Sequence, residues 1–286
     1  MRVQDIGDES GKKVIYDFGA HNGDDIQYYL WCADRVVAVE ANPLLVRRVE
    51  NRFSESIRDG RLVVVNVALT ADASARESVF YLHRSNDLLS RISPPSRSEE
   101  SAFHRVSVPS RTAASLVSEY GSPWFIKMDL EGFDAVVLAD LFRQDIRPTF
   151  ISVEAHSPEI LEILIGAGEY NAFKCVDGAS MSSLYKWRRL RMCDRNKRYS
   201  FPMNAAGPFA DDVRGPWRSE SQFRKLMDYE KFGWKDIHAT RLDNAPRERD
   251  LSRFTYGVRR LERTARVYAD RILTYVDYCT RQRHRR

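Results

Sequence analysis

The 286-residue sequence lacks several features that would place it in a specialised class of protein. No window approaches ~18 consecutive apolar residues, so a membrane-spanning helix is not expected. The N-terminal segment, MRVQDIGDESGKK, is too polar for a signal peptide. The four cysteines are scattered and include no CxxC pair, which argues against a disulfide framework or a zinc site. These absences predict a cytoplasmic protein in a reducing compartment.

Acidic residues are scarce at one end of the chain. Residues 247–286 hold 12 arginines against 5 acids, a surplus of seven positive charges, so with a whole-chain charge of +5 the rest carries −2. Apolar residues recur in this segment at spacings of three or four, which predicts an amphipathic helix. We therefore divide the chain into a domain over 1–245 and a basic helical extension over 246–286. The extension is expected to pack on its own domain, form a homodimer contact, or meet anionic lipid at the inner face of the membrane.

The rest of the chain alternates short apolar runs with segments of helical spacing. This order predicts right-handed βαβ units and an α/β fold with a mostly parallel sheet and helices on both faces. A further strand over 78–84 is expected to belong to an insertion, and residues 182–192 are expected to form the last strand. The core strands are predicted over residues 14–18, 35–40, 61–69, 123–129, 148–154 and 170–178.

Four of these strands end in charged or glycine-rich loops. In open α/β sheets, ligands bind beyond the carboxyl ends of the strands. The loops that meet at this edge are Asp17–Gly23, Glu40–Pro43, Lys127–Gly132 and Glu154–His156. The sequence therefore predicts one ligand site built from all four.

The first loop distinguishes two kinds of cofactor. Its glycines read G-x-x-x-G, whereas a dinucleotide fingerprint asks for G-x-G-x-x-G. Glu40 follows Gly19 by 21 residues and is placed to accept the hydroxyls of a ribose. Asp17 would repel a pyrophosphate and attract a cation. S-adenosylmethionine (SAM) has a ribose, a sulfonium and an ammonium but no phosphate, so SAM is the predicted cofactor.

Several segments together resemble the FkbM family of SAM-dependent methyltransferases. The resemblance implies a class I Rossmann-like methyltransferase fold with a seven-stranded sheet whose last strand is antiparallel. It also implies hydroxyl substrates, often on sugars or on polyketide and other natural-product scaffolds. The segments that carry it are IYDFGAHNGDD, VVAVEANP, NVALTADASARESVFYL, FIKMDLEGFDAVVLADL, ISVEAHSPEILEILIGAGEY, MNAAGPFADDVRGPW and FGWKDIHA.

Methyl transfer to a hydroxyl profits from a base that takes the proton as the new bond forms. His156 is the first choice, because imidazole titrates near neutral pH and Glu154 would share its side of the strand. Asp129 ends the fourth strand, and His238 is a second candidate that the resemblance supports. No metal is predicted. The residues expected to bind SAM are Asp17, Gly19, Ala20, His21, Asn22, Gly23, Glu40, Ala41, Asn42, Ala68 and Asp129.

The sequence predicts an O-methyltransferase whose partner is a hydroxyl-bearing small molecule or a glycan acceptor. Three alternatives stay open: a non-sugar natural product as substrate, an RNA substrate, or a non-catalytic Rossmann-like binding module. The basic extension favours RNA electrostatically. The near-neutral domain and the DLEG sequence at the fourth strand argue against it, because base-amino methyltransferases usually carry Asn/Asp-Pro-Pro-aromatic there. No nucleic-acid partner is therefore expected.

Overall fold

The computed structural model describes residues 11–186, 188–193 and 198–243, together with Leu261, Thr264, Ala265 and Tyr268. Those last four residues are helical and exposed. The other residues of the predicted C-terminal helix lie outside the described part of the chain. The membrane or dimer contact of the extension therefore stays a prediction. Among the described residues, every helix is too short or too polar to cross a bilayer.

A seven-stranded sheet forms the centre of the molecule. Its strands follow the order β3-β2-β1-β7-β8-β12-β9, and only β12 is antiparallel to its neighbours. The seven strands and the antiparallel last strand agree with what the resemblance implied for a class I methyltransferase. The strands are β1 Val14–Phe18, β2 Arg35–Val39, β3 Leu62–Val65, β7 Pro123–Met128, β8 Phe150–Glu154, β9 Ala172–Asp177 and β12 Lys235–Thr240.

Three further strands form a separate small sheet. It has the order β4-β6-β5 and comes from the chain between β3 and β7. Two-residue strands β10 and β11 form a further hairpin. These strands are β4 Ala68–Leu69, β5 Glu77–His83, β6 Phe103–Arg111, β10 Arg188–Arg189 and β11 Arg198–Tyr199.

Helices cover both faces of the large sheet, as predicted. Helices α4, α5, α6 and α8 pack on one face, where the buried side chains are apolar. Helix α1 and residues 201–217 pack on the other. The helices are α1 Ile26–Cys32, α2 Pro43–Arg52, α3 Ser54–Arg58, α4 Ala113–Tyr120, α5 Asp134–Arg143, α6 Glu159–Ile165, α7 Gly178–Leu184 and α8 Glu220–Glu230.

The second face of the sheet carries polar side chains in one row across five strands. Paired strands place Asp17 beside Lys127, Lys127 beside Ser152, Ser152 beside His238, and His238 beside Lys174. Directly paired residues share a face of the sheet. Each of the five is buried.

Two strand predictions are wrong, and strands β12 and β6 were not predicted. Residues 61–69 do not form one strand, because the Asn66 side-chain amide donates to the carbonyls of Glu40 and Ala41 and the chain leaves the sheet there. Residues 182–192 are not the last strand, since α7 occupies their start. The seventh strand is β12. Its sequence lacks the apolar run typical of a central strand, because Asp236 and His238 belong to the polar face of the sheet. Strand β6 had no prediction.

Cys32 and Cys193, which are separated by 161 positions in the sequence, form a disulfide with Cα atoms 4.4 Å apart. The pair joins the end of α1 to the segment after β10. The spacing of the cysteines argued against a disulfide framework and does not indicate this pair, which only the fold brings together. Cys175 is free.

Candidate active site

An open cleft lies at the carboxyl edge of the sheet, above β1, β2 and β7. It consists of two adjoining cavities of about 580 and 440 Å³. The smaller cavity is the more apolar, with Val67, Ala68, Leu69 and Leu130 in its wall. Both cavities are lined by Gly19, Glu40, Phe80, Ser90, Asp129 and Glu131.

The larger cavity is strongly acidic. Its wall includes one lysine, Lys127, against six carboxylate side chains. Such a wall repels a phosphate and attracts a cation, because charges interact strongly where water is partly excluded. The six acids are Asp24, Asp25, Glu40, Asp87, Asp129 and Glu131.

Glu40 is held rigidly at the end of β2. One carboxylate oxygen accepts from the backbone N–H of His21 at 2.8 Å, and the other accepts from the N–H of Asn42 at 2.7 Å. Each oxygen keeps a lone pair for a further donor. Burial raises the pKa of Glu40 to about 7, and the two backbone hydrogen bonds oppose that rise. The carboxylate is therefore prepositioned to accept two adjacent hydroxyls, as predicted for a ribose.

Asp17 lies below the floor of the cleft, which corrects the sequence account of this residue. Its side chain is 2% exposed and does not line either cavity. It also has a cationic neighbour, since Lys127 Nζ lies 4.0 Å from its Oδ1. Burial raises the pKa of Asp17 to about 6, against the effect of Lys127. Asp17 acts on the cleft through Lys127 and not by facing a ligand.

Lys127 joins the acids beneath the cleft. Its Nζ donates to Asp129 Oδ2 and to the carbonyl of Gly19, both at 3.2 Å. Burial alone would lower the pKa of Lys127, but the carboxylates of Asp129 and Asp17 outweigh it and hold the pKa above its usual value. The lysine is therefore a permanent buried cation that fixes the first loop against the end of β7.

Gly19 is required by packing against the chain itself. Its φ is +83°, and a Cβ added there would overlap the backbone oxygen of Asp129. The loop thus approaches β7 closely. Gly23 lines neither cavity, which corrects its predicted place among the SAM-binding residues. A Cβ added at Gly23 would lie 3.0 to 3.2 Å from side chains of α1, α2 and Phe53, so this glycine serves packing.

The other predicted cofactor residues, apart from Gly23, line the cleft. Ala20, His21, Asn22 and Asn42 lie in the wall of the larger cavity, and Ala41 and Ala68 lie in the smaller one. Both ring nitrogens of His21 and the Oδ1 of Asn22 are buried without a hydrogen bond, although His21 Nε2 lies 3.7 Å from Asp87 Oδ1. Buried polar atoms of this kind are costly unless something pairs with them. Their position indicates that a bound molecule supplies the missing partners.

Asp129, Glu154 and His156 form a connected chain at the edge of the cleft. Glu154 Oε2 lies 3.1 Å from His156 Nε2, and the two carboxyl groups of Glu154 and Asp129 share a hydrogen bond. Burial and the Asp129 carboxylate raise the pKa of Glu154 far above its usual value. Burial also favours the protonated form of Asp129, but Lys127 prevails and lowers its pKa. Glu154 therefore holds the proton between the two acids.

His238 is not in the cleft, and its predicted catalytic role is corrected. Because β12 is antiparallel, the start of this strand lies at the carboxyl edge and His238 lies deeper in the sheet. The side chain is 2% exposed, and its Nε2 is 3.4 Å from the hydroxyl of Ser152. Burial and the nearby Lys174 lower the pKa of His238 to about 3. The imidazole is a neutral core group.

Three residues of the site were not identified from the sequence. Asp25 accepts from the N–H groups of Ala206 and Gly207 at 2.7 and 3.1 Å, so it fastens residues 204–207 beside the cleft. Glu131 has a φ of +51° and lines both cavities. Phe80 reaches the cleft from the small sheet. A strained backbone at a cleft is a signal of function, but only the structure displays it.

Within the described ranges, no group of His, Cys, Asp and Glu side chains is arranged to hold a metal ion.

A profile of the methyltransferase FkbM domain matches residues 17–181, which is more than half of the chain. The fold and the acidic cleft thus define a class I methyltransferase, and the chain belongs to the FkbM methyltransferase family. SAM is the cofactor of this family, as the loop chemistry predicted. No curated protein sequence matches the chain.

Three solved structures illustrate what the chain is similar to. A methyltransferase FkbM from Methylobacillus flagellatus is 16% identical, with a TM-score of 0.39 over 58% of this chain and 40% of that one. A precorrin-6y C5,15-methyltransferase from Geobacter metallireducens is 13% identical, with a TM-score of 0.35 over 58% and 67%. An rRNA methylase from Streptococcus thermophilus is 11% identical, with a TM-score of 0.30 over 58% and 75%. Such distant likenesses do not indicate a substrate.

Proposed function

We propose that this methyltransferase transfers a methyl group to a hydroxyl oxygen, most simply that of a sugar in a glycan, a glycolipid or a glycosylated natural product. The observation that carries the proposal is the chain of Asp129, Glu154 and His156. A hydroxyl must lose its proton when it is methylated, and these three groups lead from the cleft to solvent. The sugar part rests on the family resemblance and on the carboxylates of the cleft, which are good acceptors for sugar hydroxyls.

The relay of Asp129, Glu154 and His156 can carry one proton from the cleft to water and then return to its starting protonation state. Asp129 lines the cleft and is ionised, so it takes the hydroxyl proton. Glu154 passes its own proton to His156 and takes the proton of Asp129 in return, so that Asp129 is ionised again. His156 has a side chain that is 56% exposed, so it exchanges the proton with water. A base placed in this way adds about 10² to 10⁴ in rate.

The cofactor supplies an electrophilic methyl group on a sulfonium. Glu40 is placed to accept its ribose hydroxyls, and the apolar wall around Ala41, Ala68 and Leu130 suits its adenine. The acidic wall of the larger cavity compensates its two positive charges. His21 and Asn22 offer unpaired polar atoms beside that wall.

The same acidity argues against RNA, because a phosphate backbone would be repelled at the mouth of the cleft. A non-sugar hydroxyl compound stays the nearest alternative. A non-catalytic binding module is disfavoured by the connected proton path, which binding alone does not require.

The test compares cells that produce the wild-type chain with cells that produce Asp129→Ala or His156→Ala. We expect a sugar that gains one methyl group with the wild type and loses it with Asp129→Ala. Calorimetry should show that His156→Ala still binds SAM, because His156 lies outside both cavities. Intact methylation in both variants would refute the proposed site, and absent SAM binding by the wild type would favour the binding module.

A further inference from the structure

We infer that Trp234 is the platform on which the acceptor sugar ring lies, and that Asp236 and Glu154 hold the hydroxyls of that ring. This inference rests on the proposed sugar acceptor. It assigns a second subsite, beside the SAM cleft, at the edge formed by β8 and β12.

The strand register places these side chains together. Asp236 pairs directly with Glu154, so both lie on the same face of the sheet. The backbone N–H of Ala155 donates to the carbonyl of Lys235 at 2.8 Å, which ties the start of β12 to the end of β8. Trp234 immediately precedes β12, and His156 immediately follows Ala155. The tryptophan and the proton path therefore flank the same backbone contact.

Trp234 is 53% exposed, which is unusual for the largest side chain. Its ring nevertheless has a defined seat. The backbone N–H of Gly178 donates to the carbonyl of Trp234 at 3.1 Å, and a Cβ added at Gly178 would lie 2.5 Å from the indole ring. The indole thus occupies the space that a side chain at position 178 would need. The opposite face of the indole is open to solvent. An ordered aromatic surface at the edge of a site is a common anchor for a ligand.

Asp236 supplies the polar complement. The residue is 7% exposed, and it shares its face of the sheet with Glu154, its direct partner on β8. A carboxyl that is largely buried gains from a hydrogen-bonding partner. Burial and the Asp129 carboxylate raise the pKa of Asp236 to about 8. At neutral pH the group is thus mostly a protonated acid, which can both donate to and accept from a hydroxyl.

The arrangement matches the chemistry of a pyranose. One face of such a ring is a patch of C–H groups, which packs on a flat aromatic surface. Its rim carries hydroxyls, which suit Asp236 and Glu154. A long acyl or polyketide chain would use the indole but would bring few hydroxyls to the carboxyls of Asp236 and Glu154. A sugar satisfies both groups.

The test uses saturation-transfer NMR with a panel of methyl pyranosides in the presence of S-adenosylhomocysteine. We expect at least one pyranoside to show transfer to its ring C–H protons with the wild type. The signal should disappear with Trp234→Ala and persist with Trp234→Phe, which keeps an aromatic face. Val136→Ala is the matched control, because Val136 is also exposed but lies on α5, against the opposite face of the sheet.

Gly178→Ala tests the seat of the ring without removing the tryptophan. The added methyl group should displace the indole and reduce pyranoside binding at least tenfold. In the Trp234→Ala background the same substitution should have no further effect, because no ring is left to displace. Calorimetry with SAM should be unchanged in every variant, which confirms folding.

Each outcome has a separate meaning. If a pyranoside binds the wild type and Trp234→Ala equally well, the proposed role of Trp234 is wrong, whereas the proposal of a sugar acceptor is supported. If no pyranoside binds the wild type, but the enzyme methylates aliphatic or aromatic alcohols, the sugar acceptor itself is wrong and the platform falls with it.

Discussion

The two sides of the active-site edge are built differently. On the cofactor side, at the ends of β1, β2 and β7, backbone N–H groups, a buried lysine and closely packed glycines hold the carboxylates. On the proposed acceptor side, at the end of β8 and the start of β12, His156 and Trp234 are more than half exposed. Their side chains make few contacts that fix the fold.

The difference separates the part of the site that binds a cofactor common to the class from the part proposed to select the acceptor. The cofactor is common to the whole class of methyltransferase, so its site can be part of the folding framework. The acceptor differs from one enzyme to another, and exposed side chains at strand ends can change without cost to the core. Variants on the two sides should therefore fail in different ways.

The largest effect is expected for Lys127→Met on the cofactor side. The substitution leaves the carboxylates of Asp17 and Asp129 without their shared cation, which typically costs about 3–5 kcal/mol when the group is buried. Urea unfolding should show this loss. Arg224→Ala is the control, because it removes the surface ion pair with Glu162 and should cost at most about 1 kcal/mol. Equal losses would show that Lys127 does not organise the cofactor side.

The next effect is expected for Gly19→Ala, which forces a methyl group into the backbone of Asp129. We expect a loss of roughly 3 kcal/mol or more in unfolding free energy, together with loss of SAM binding in calorimetry. Gly60→Ala is the matched control, since Gly60 has a similar φ of +70° but open space around it. That variant should lose only about 1–2 kcal/mol from backbone strain. A similar loss in both would mean that the contact with β7 is unimportant.

Glu40→Gln should weaken SAM binding without unfolding the protein. Hydrogen bonds to a charged group contribute about 1.5–3 kcal/mol, so the Kd should rise by about 10- to 100-fold. Because the pKa of Glu40 is raised to about 7, the free wild-type protein holds a proton there at lower pH. SAM affinity should therefore increase as pH rises from 6 to 8, and Glu40→Gln should flatten this dependence. A wild-type affinity that falls over this range would contradict the assignment.

The smallest effect on stability is expected on the acceptor side. His156→Ala and Trp234→Ala should each change the unfolding free energy by no more than about 0.5 kcal/mol, since both side chains are largely exposed. Urea unfolding checks this expectation beside the activity assays. A loss of about 2 kcal/mol or more in unfolding free energy would show that the acceptor side also stabilises the fold. The proposed difference between the two sides would then be wrong.

Much of the fold was predictable because buried strands leave a continuous apolar run in the sequence. Strand β1 was predicted to the residue, and β2, β7, β8 and β9 within two residues of their observed ends. Strand β12 was not recognised, because four of its six side chains are polar groups that only their neighbours in the sheet make acceptable. Strand β6 belongs to a small sheet with one exposed face, where the apolar signal is weak.

The candidate site divides in the same way. The amino-acid sequence alone determined the chemistry of the cofactor side, since Gly19, Glu40 and Asp129 each directly follow a recognisable strand. Only the tertiary structure decided that Lys127 is the partner of Asp17, that His238 is a core residue, and that Trp234 lies beside His156. The physical reason is that local patterns record which residues are buried, whereas strand order and direction decide which buried residues meet.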